Sequence, residues 1–398
     1  MGPEETAHHK MKWTLKYGLN PHQSDAEARF PDGHEWLRIL NGQVGYINLL
    51  DALRAWLLAR ELANTLGAVA ATSVKHVHPA GAALAAPLDA AFRAAHFLPD
   101  ETLSEGATAY ARARAGDPIA SFGDFIGLTE IVDESCARLV AREVSDGIVA
   151  PGYDERALAI LRAKKKGRYI VLEADPDYEP PPLEHRSDGG LDLQQARNTA
   201  TITASLFDAR VSSCRQLEPE AFRDLQLATI VVKHTPSNAV CVAHQGQAIG
   251  IGGGQQARIY ATRAACDKAD AWRLQLHPRV PTIRFRQGTS RTAKMHVVRD
   301  WIEQGGRVDA TTDRQTRGLD LAEPLTREER RTWLAGFAPV VLSSDGYIPF
   351  RDNVDRAHQS YVHVIAQPGG SANDAVVTAA ASEAGIVMIH TGLRLFWH

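Results

Sequence analysis

Val74 to Ala83 reads VKHVHPAGAA, and the chain is organised around these ten residues. An approach rich in β-branched residues (Thr72, Ser73, Val74) delivers Lys75 and His76 to an expected strand end. Pro79 and Gly81 are then expected to break the strand, with an Ala-rich helix over Ala82 to Ala95. Sheets of α/β proteins place reactive groups in the crevice beyond their strand ends. Adjacent Lys and His there make one chemical unit. The ammonium stabilises negative charge and disfavours a charged imidazole beside it, and a neutral imidazole accepts a proton at pH 7. The plain alternative is a surface Lys next to a half-buried His.

The motif has an echo. Ile230, Val231 and Val232 lead into VKHTPSNAV, which reads as a second strand ending in Lys233 and His234. SFGD at Ser121 to Asp124 resembles SSDG at Ser343 to Gly346, and PGYDERAL from Pro151 resembles PGGSANDA from Pro368. The offsets are 158, 222 and 217 residues. They fit two similar halves, the second enlarged by roughly 60 residues before Ser343.

With 398 residues, 44% hydrophobic and 23% charged, the chain suits a globular α/β enzyme of two or three domains. A net charge of -3 offers no basic field for nucleic acid. Cys136, Cys214, Cys241 and Cys266 lie far apart without a CxxC spacing, which indicates neither a zinc site nor a disulfide framework and fits a reducing compartment. The polar start MGPEETAHHK and the lack of any run approaching 18 apolar residues point to a cytoplasmic protein with no membrane segment.

Leu15 to Gln23, LKYGLNPHQ, sets Lys16, Tyr17 and His22 beside a Gly-Pro loop that suits an anion. In LNGQVGYINLLDAL (Leu40 to Leu53), Asn48 is expected to cap a helix whose apolar face holds Leu49, Leu50, Leu53 and Trp56, or to meet a ligand there. The Pro- and Gly-rich stretch 175–190 marks a boundary. Gly250, Gly252, Gly253 and Gly254 miss the dinucleotide fingerprint because Gln255 stands where its last Gly belongs. They read instead as a turn letting a ligand approach backbone, before a helix carrying Arg258 and Arg263. Residues 284–320 read as irregular, and Thr326 with Glu329 as a capping box. The terminal IVMIHTGLRLFWH (Ile386 to His398) is expected to dock, with Leu395, Phe396 and Trp397 as a buried apolar anchor that holds Arg394.

Taken together, LKYGLNPHQ, GYINLLDA, VKHVHPAGAA, SFGDF, REVSDGIVAPGY, VKHTPSNAV, IGIGGGQQARI, PFRDNVDRA and TGLRLF follow one order. In that order the chain resembles the aminoimidazole carboxamide ribonucleotide (AICAR) formyltransferase half of bifunctional purine-biosynthesis proteins. The resemblance implies two duplicated cytidine-deaminase-like α/β lobes, 13–190 and 191–398, after a mobile tail at 1–12, with an insertion in the second lobe at about 260–340. No zinc is implied, because the deaminase HxE…PCxxC signature is missing. A homodimer with active sites at its interface is implied, and a stand-alone form that relies on a separate inosinate (IMP) cyclohydrolase.

The implied reaction moves the formyl group of 10-formyltetrahydrofolate to the 5-amino group of AICAR, giving FAICAR. By resemblance His76 is the general base, Lys75 steadies the oxyanion or protonates the leaving N10, and Asn238 orients the amine or carboxamide. Lys16, Tyr17 and Arg394 would face the 5′-phosphate, while Asn48, Gly123, Asp146, Arg258 and Tyr347 contact the nucleotide. Ile119, Phe122, Ile259, Pro349, Phe350 and Asp352 would line the folate site, with Asp352 at the pterin edge. Some relatives bind a monovalent cation such as K+ near positions matching Val232, Thr235, Ser237 and Asp345. Departures from the pattern bear on substrate: Lys16 stands for an Arg that would grip phosphate bidentately. Ile119 stands for Met, Tyr347 for Phe and His234 for Tyr. Two alternatives stay open, a formyltransferase for a related amino-azole nucleotide and a non-catalytic nucleotide- or folate-binding regulator.

Overall fold

Strands apolar on both faces need covering on both faces, and such strands dominate this chain. The structure is a computed structural model that describes residues 12–213, 217–305 and 321–398, so residues 1–11 of the expected tail and Cys214 lie outside the described residues, while Lys12 at its end is already strand. Strands β1 (Lys12–Thr14) and β2 (Glu27–Arg29) form a small ribbon, and β3 (Leu37–Asn41) leads into helix α1 (Tyr46–Leu66). Next come β4 (Ala70–Lys75), β5 (His78–Leu84), α2 (Ala90–Ala95), α3 (Glu105–Ala115) and β6 (Asp124–Leu128). They are followed by α4 (Glu134–Ala141), β7 (Ser145–Ala150), α5 (Glu155–Ala163) and β8 (Ile170–Ala174). An exposed hairpin of β9 (Leu183–Asp188) and β10 (Leu191–Ala196) occupies and follows the expected boundary. Then come α6 (Pro219–Lys233), β11 (Val240–His244), β12 (Gln247–Gly252), α7 (Arg258–Gln275), α8 (Arg291–Glu303) and α9 (Arg327–Ala335). The last elements are β13 (Val341–Ser344), α10 (Asp352–Gln359), β14 (Val364–Gln367), α11 (Asp374–Glu383) and β15 (Val387–His390).

Eleven strands make one mixed sheet in the order β15-β14-β13-β11-β12-β5-β4-β6-β7-β8-β3. Its two sides follow one plan. A helix leads into an antiparallel hairpin, a second helix follows, and three strands alternating with helices complete each side: α1-β4-β5-α3-β6-α4-β7-α5-β8 and α6-β11-β12-α7-β13-α10-β14-α11-β15. The strand directions agree pair by pair, and both hairpins shift register at the same place, Ser73/Val74 and Val242/Ala243. The sides join where β12 runs antiparallel to β5, Gln247 opposite Ala83.

Alternation along the strands feeds two apolar layers. Val240 and Val242 join α7, α10 and α11, while Cys241 and Ala243 join α1 and α6. Leu58 and Leu62 of α1 are fully buried, each contributing about 1.5–3 kcal/mol. Two glycines permit close helix approach. A Cβ at Gly81 would lie 1.9 Å from the Ala113 carbonyl oxygen of α3, and one at Gly250 would lie 2.0 Å from that of Ala265 in α7.

Several expectations are corrected. Pro79 and Gly81 do not break a strand but lie inside β5, and the Ala-rich segment is strand to Leu84, with helix only over Ala90–Ala95. Small residues there serve helix-on-sheet packing rather than helix propensity. The second Lys-His is no strand end: Ile230 to Lys233 close α6, because the run is buried on a helix packed across the sheet. Residues 284–320 are not wholly irregular, since Ser290 caps α8 at the Ala293 N–H. The Thr326–Glu329 capping box is present. Position for position only the proline echo matches, Pro151 after β7 and Pro368 after β14. The long connection of the second side begins after α7, which itself takes the place of α3. Among the described residues no helix is long and apolar enough to cross a membrane.

Candidate active site

Lys75 ends β4 opposite His78, so the hairpin closes through two residues, His76 and Val77. Both have left-handed backbone, φ 52° and 67°, as a two-residue hairpin turn demands. The turn carries His76 outward into solvent. Lys75 is half-buried and its ammonium donates to the Phe122 carbonyl at 2.6 Å. A buried network fixes that carbonyl. Ser73 Oγ donates to Asp124 at 2.6 Å and lies 2.8 Å from Ser121 Oγ, and Asp124 pairs with Arg114 at 2.8 Å. Arg114 also meets Glu143 at 3.0 Å, and Arg291 holds Glu143 from its other side. Gly123, at φ 81°, makes the bend that sets Phe122 over Lys75.

The sequence reading missed Asp51. It sits on α1 with its carboxylate under the hairpin tip, accepting the Val77 N–H at 2.6 Å and the His76 N–H at 3.3 Å. Burial pushes this carboxyl up to about 6, against the two backbone hydrogen bonds. The available signal was an acidic residue between apolar positions in INLLDAL.

Lys16 and Tyr17 are held against the start of α1. The Lys16 N–H donates to Val44 at 3.0 Å, and Tyr17 accepts from the Tyr46 N–H at 3.3 Å. Asn48 is not the N-cap. It is the third helical residue, and its side-chain oxygen reaches back to the Gly45 N–H at 3.2 Å, since Gly45 takes the cap position. Asp146 is the second residue of β7 and accepts from Lys165 at 2.7 Å.

The other side of the sheet supplies the remaining groups. Asn238 follows the cis Ser237–Asn238 peptide, and its amide donates to the Gln255 carbonyl at 2.8 Å. Arg258 opens α7 and pairs with Asp345, both buried, and it also donates to Ala239 at 3.2 Å. Ser237 donates to the second Asp345 oxygen. Ile259 is next on α7, Asp352 opens α10, and Thr262 ties the helices by donating to Asn353 at 2.7 Å. Pro349 accepts from Asn373 at 2.9 Å beside exposed Phe350 and Tyr347. Ile119 and Phe122 instead stand with Lys75.

The two groups meet at His78. A Cβ at Gly254 would lie 2.9 Å from His78 Nε2, and the Gly254 N–H donates to Pro236 at 2.6 Å. The Lys75–His76 tip and the Asn238 loop are therefore neighbours. Only Gly253 and Gly254 suit the expected turn for close approach, because Gly250 and Gly252 press on α7.

Of the three expected anchor residues only Leu395 is fully buried, and the aromatics are not. Leu395 is buried and its N–H donates to Asp345 at 2.9 Å, whereas Phe396 is 41% exposed. Trp397 is half-buried, stacked 3.6 Å from the Arg54 guanidinium, and its carbonyl accepts the Ser237 N–H at 2.9 Å. Arg394 is exposed beside Phe396, 4.9 Å from the ring centre.

The oxygens near Val232, Thr235, Ser237 and Asp345 already have protein partners. Thr235 Oγ1 donates to Val231, the Val232 carbonyl accepts the Thr235 N–H, and Arg258 neutralises Asp345. They are nonetheless oxygens of the kind a monovalent cation takes, and the hydroxyls and the carbonyl keep lone pairs beside these bonds. Among the described residues no group of three or more His, Cys, Asp or Glu stands ready to hold a metal ion.

Residues 2–268 match the family described as the AICARFT/IMPCHase bienzyme. The bifunctional purine biosynthesis protein PurH of Cereibacter sphaeroides is 30% identical over 392 residues, covering 97% of this chain and 59% of the relative. The protein of the same name from Mesorhizobium japonicum is 30% identical over 388 residues, 96% of this chain and 58% of its own length. The chain thus spans about 59% of the length of the curated relatives it matches, and on the strength of the family match it belongs to the AICARFT/IMPCHase bienzyme family.

Proposed function

We propose that the protein transfers the formyl group of 10-formyltetrahydrofolate to the 5-amino group of AICAR, giving FAICAR and tetrahydrofolate. The observation that carries this reading is the exposed Lys75–His76 hairpin tip beside the Asn238 loop. The amine nitrogen attacks the formyl carbon while His76 takes the amine proton. The Lys75 ammonium faces the oxyanion of the tetrahedral species, where a preset charge is worth more than in water. Collapse breaks the bond from the formyl carbon to N10, and the proton on His76 or one from Lys75 passes to N10. Asn238 orients the carboxamide.

In this reading Lys16, Tyr17, Asn48, Gly123, Asp146, Arg258, Tyr347 and Arg394 hold the nucleotide. Ile119, Phe122, Ile259, Pro349, Phe350 and Asp352 hold the folate. A homodimer with active sites at its interface, as the resemblance implies, would cover apolar surface beside these residues. Phe122 and Phe350, 42% and 61% exposed, are apolar surface suited to such covering. The repeated helix and strand succession supports two deaminase-like lobes related by duplication. The test is spectroscopic: tetrahydrofolate release from 10-formyltetrahydrofolate on adding AICAR. Release that depends on AICAR is expected, and its absence overturns the reading. Faster turnover of a different amino-azole ribonucleotide would reassign the substrate while keeping the reaction.

A further inference from the structure

The hairpin that carries Lys75 and His76 has a counterpart on the other side of the sheet. There β11 and β12 also close through two left-handed residues, Gln245 at φ 49° and Gly246 at φ 71°. The same device holds both tips. Asp51 is the sixth residue of α1 and Asp224 the sixth of α6. Asp224 accepts the Gln245 N–H at 2.7 Å and the Gly246 N–H at 2.6 Å, as Asp51 accepts those of His76 and Val77.

The surroundings differ. The second tip has Gly at its second position, where a left-handed backbone is ordinary. Its Gln245 carbonyl accepts from Arg112, and its Gly246 carbonyl accepts the Leu84 N–H at 2.9 Å. The first tip has Val77 there, a β-branched residue for which positive φ is an outlier. Among the described residues its carbonyl at His76 accepts a side-chain bond, from His78 Nδ1 at 2.8 Å, and no backbone one. Backbone strain of this kind persists where neighbouring structure enforces it, and it clusters at reacting sites. The Asp51 carboxylate is what enforces it here.

We propose that Asp51 is a positioning residue for formyl transfer, clamping the His76 and Val77 amides so that the exposed imidazole and the Lys75 ammonium are held in reacting geometry. This rests on the function proposed above. Asp51 acts through His76 and touches no substrate. Asp224 performs the same structural task at a tip with no reacting group, so it serves as an internal control. The raised Asp51 carboxyl agrees with a group kept buried for its hydrogen bonds; burial raises Asp224 to about 6 as well.

The experiment compares Asp51→Asn, Asp51→Glu and Asp224→Asn in the full chain by steady-state kinetics and urea unfolding. Asparagine keeps one acceptor oxygen, whereas glutamate keeps the charge but displaces it by a methylene. The expected result for both Asp51 variants is a kcat loss of roughly 10- to 100-fold with KM for either substrate within about 3-fold, as a misplaced catalytic group produces. Asp224→Asn should lose comparable stability with kcat within about 2-fold of wild type. If one Asp51 variant does not fold, the other carries the test. Near-wild-type kcat in a folded Asp51 variant overturns the clamp, as does an equal kcat loss in Asp224→Asn. Failure of the wild type to release tetrahydrofolate would instead remove the formyl-transfer reading, and this role with it.

Discussion

The chain contains Lys-His twice, and the two pairs have opposite fates. Lys75 and His76 end a strand, so the turn throws the imidazole into solvent and leaves the ammonium on one backbone carbonyl. Lys233 and His234 end a helix packed on α1, and both reach inward to Glu61, at 2.8 and 2.7 Å. Arg54 closes the ring 3.0 Å from His234 Nδ1 and stacks on Trp397. Burial lowers the His234 pKa despite Glu61, with Arg54 and Lys233 adding to the effect. Burial works against ionising Glu61, but the hydrogen bond from His234 and the charge and hydrogen bond of Lys233 hold it low. The same two residues thus make an exposed tip in one place and a buried structural tie in the other. What decides is the backbone that presents them.

The contrast is easiest to break at His76. His76→Ala should cut turnover by ~10²–10⁴, the usual worth of a general base, with nucleotide binding largely kept. Initial rates of tetrahydrofolate release measure it, and more than about a third of wild-type turnover would end the base assignment. His234→Ala should do the reverse. Removing it leaves Glu61 and Arg54 short of a buried partner, a loss of about 1–3 kcal/mol read from the urea midpoint, with turnover per folded molecule nearly unchanged. A large kcat loss at unchanged stability would erase the distinction.

Two arginines sharpen it further. Arg258 is buried and paired while Arg394 is exposed, so only Arg394 is free to take a phosphate. Arg394→Ala should weaken the ribonucleotide by about 10-fold, roughly one charged hydrogen bond, and leave the dephosphorylated riboside unchanged. Equal loss for both ligands by calorimetry would remove Arg394 from the site. The last comparison concerns pH. Unfolded His234 titrates near its ordinary 6.5 and the folded residue lower, so the unfolded state binds more protons as pH falls below 6.5. Wild type should therefore lose stability relative to His234→Leu on going from pH 7 to 5, by at most about 1.4 kcal/mol per pH unit. Asp51 and Asp224, raised to about 6, gain stability as pH falls and cancel in that difference. Parallel stability curves for the two proteins would show that His234 is not buried neutral.

What was legible in the sequence was local chemistry. The strand ending at Lys75 and the Thr326–Glu329 box read correctly because each depends on neighbours along the chain. Runs of small and β-branched residues misled, since burial, not propensity, chose their state: Ala82 and Ala83 are strand, Val231 and Val232 helix. Asn48 and Asp51 show the same limit. Their partners are backbone amides, which carry no letter in the sequence.

The seam of the sheet has a consequence for how the molecule comes to exist. Gln247 pairs with Ala83 across 164 residues of chain, so the middle of the sheet closes only by a long-range encounter, which slows folding. Until then β5 and β12 are open, apolar edges, the templates on which chains pair wrongly and aggregate. The Asn238 loop meets the His76 hairpin across that same seam. Assembly of the candidate site and concealment of the sticky edges are therefore one event, and a chain that stalls before it lacks that site and leaves those edges bare.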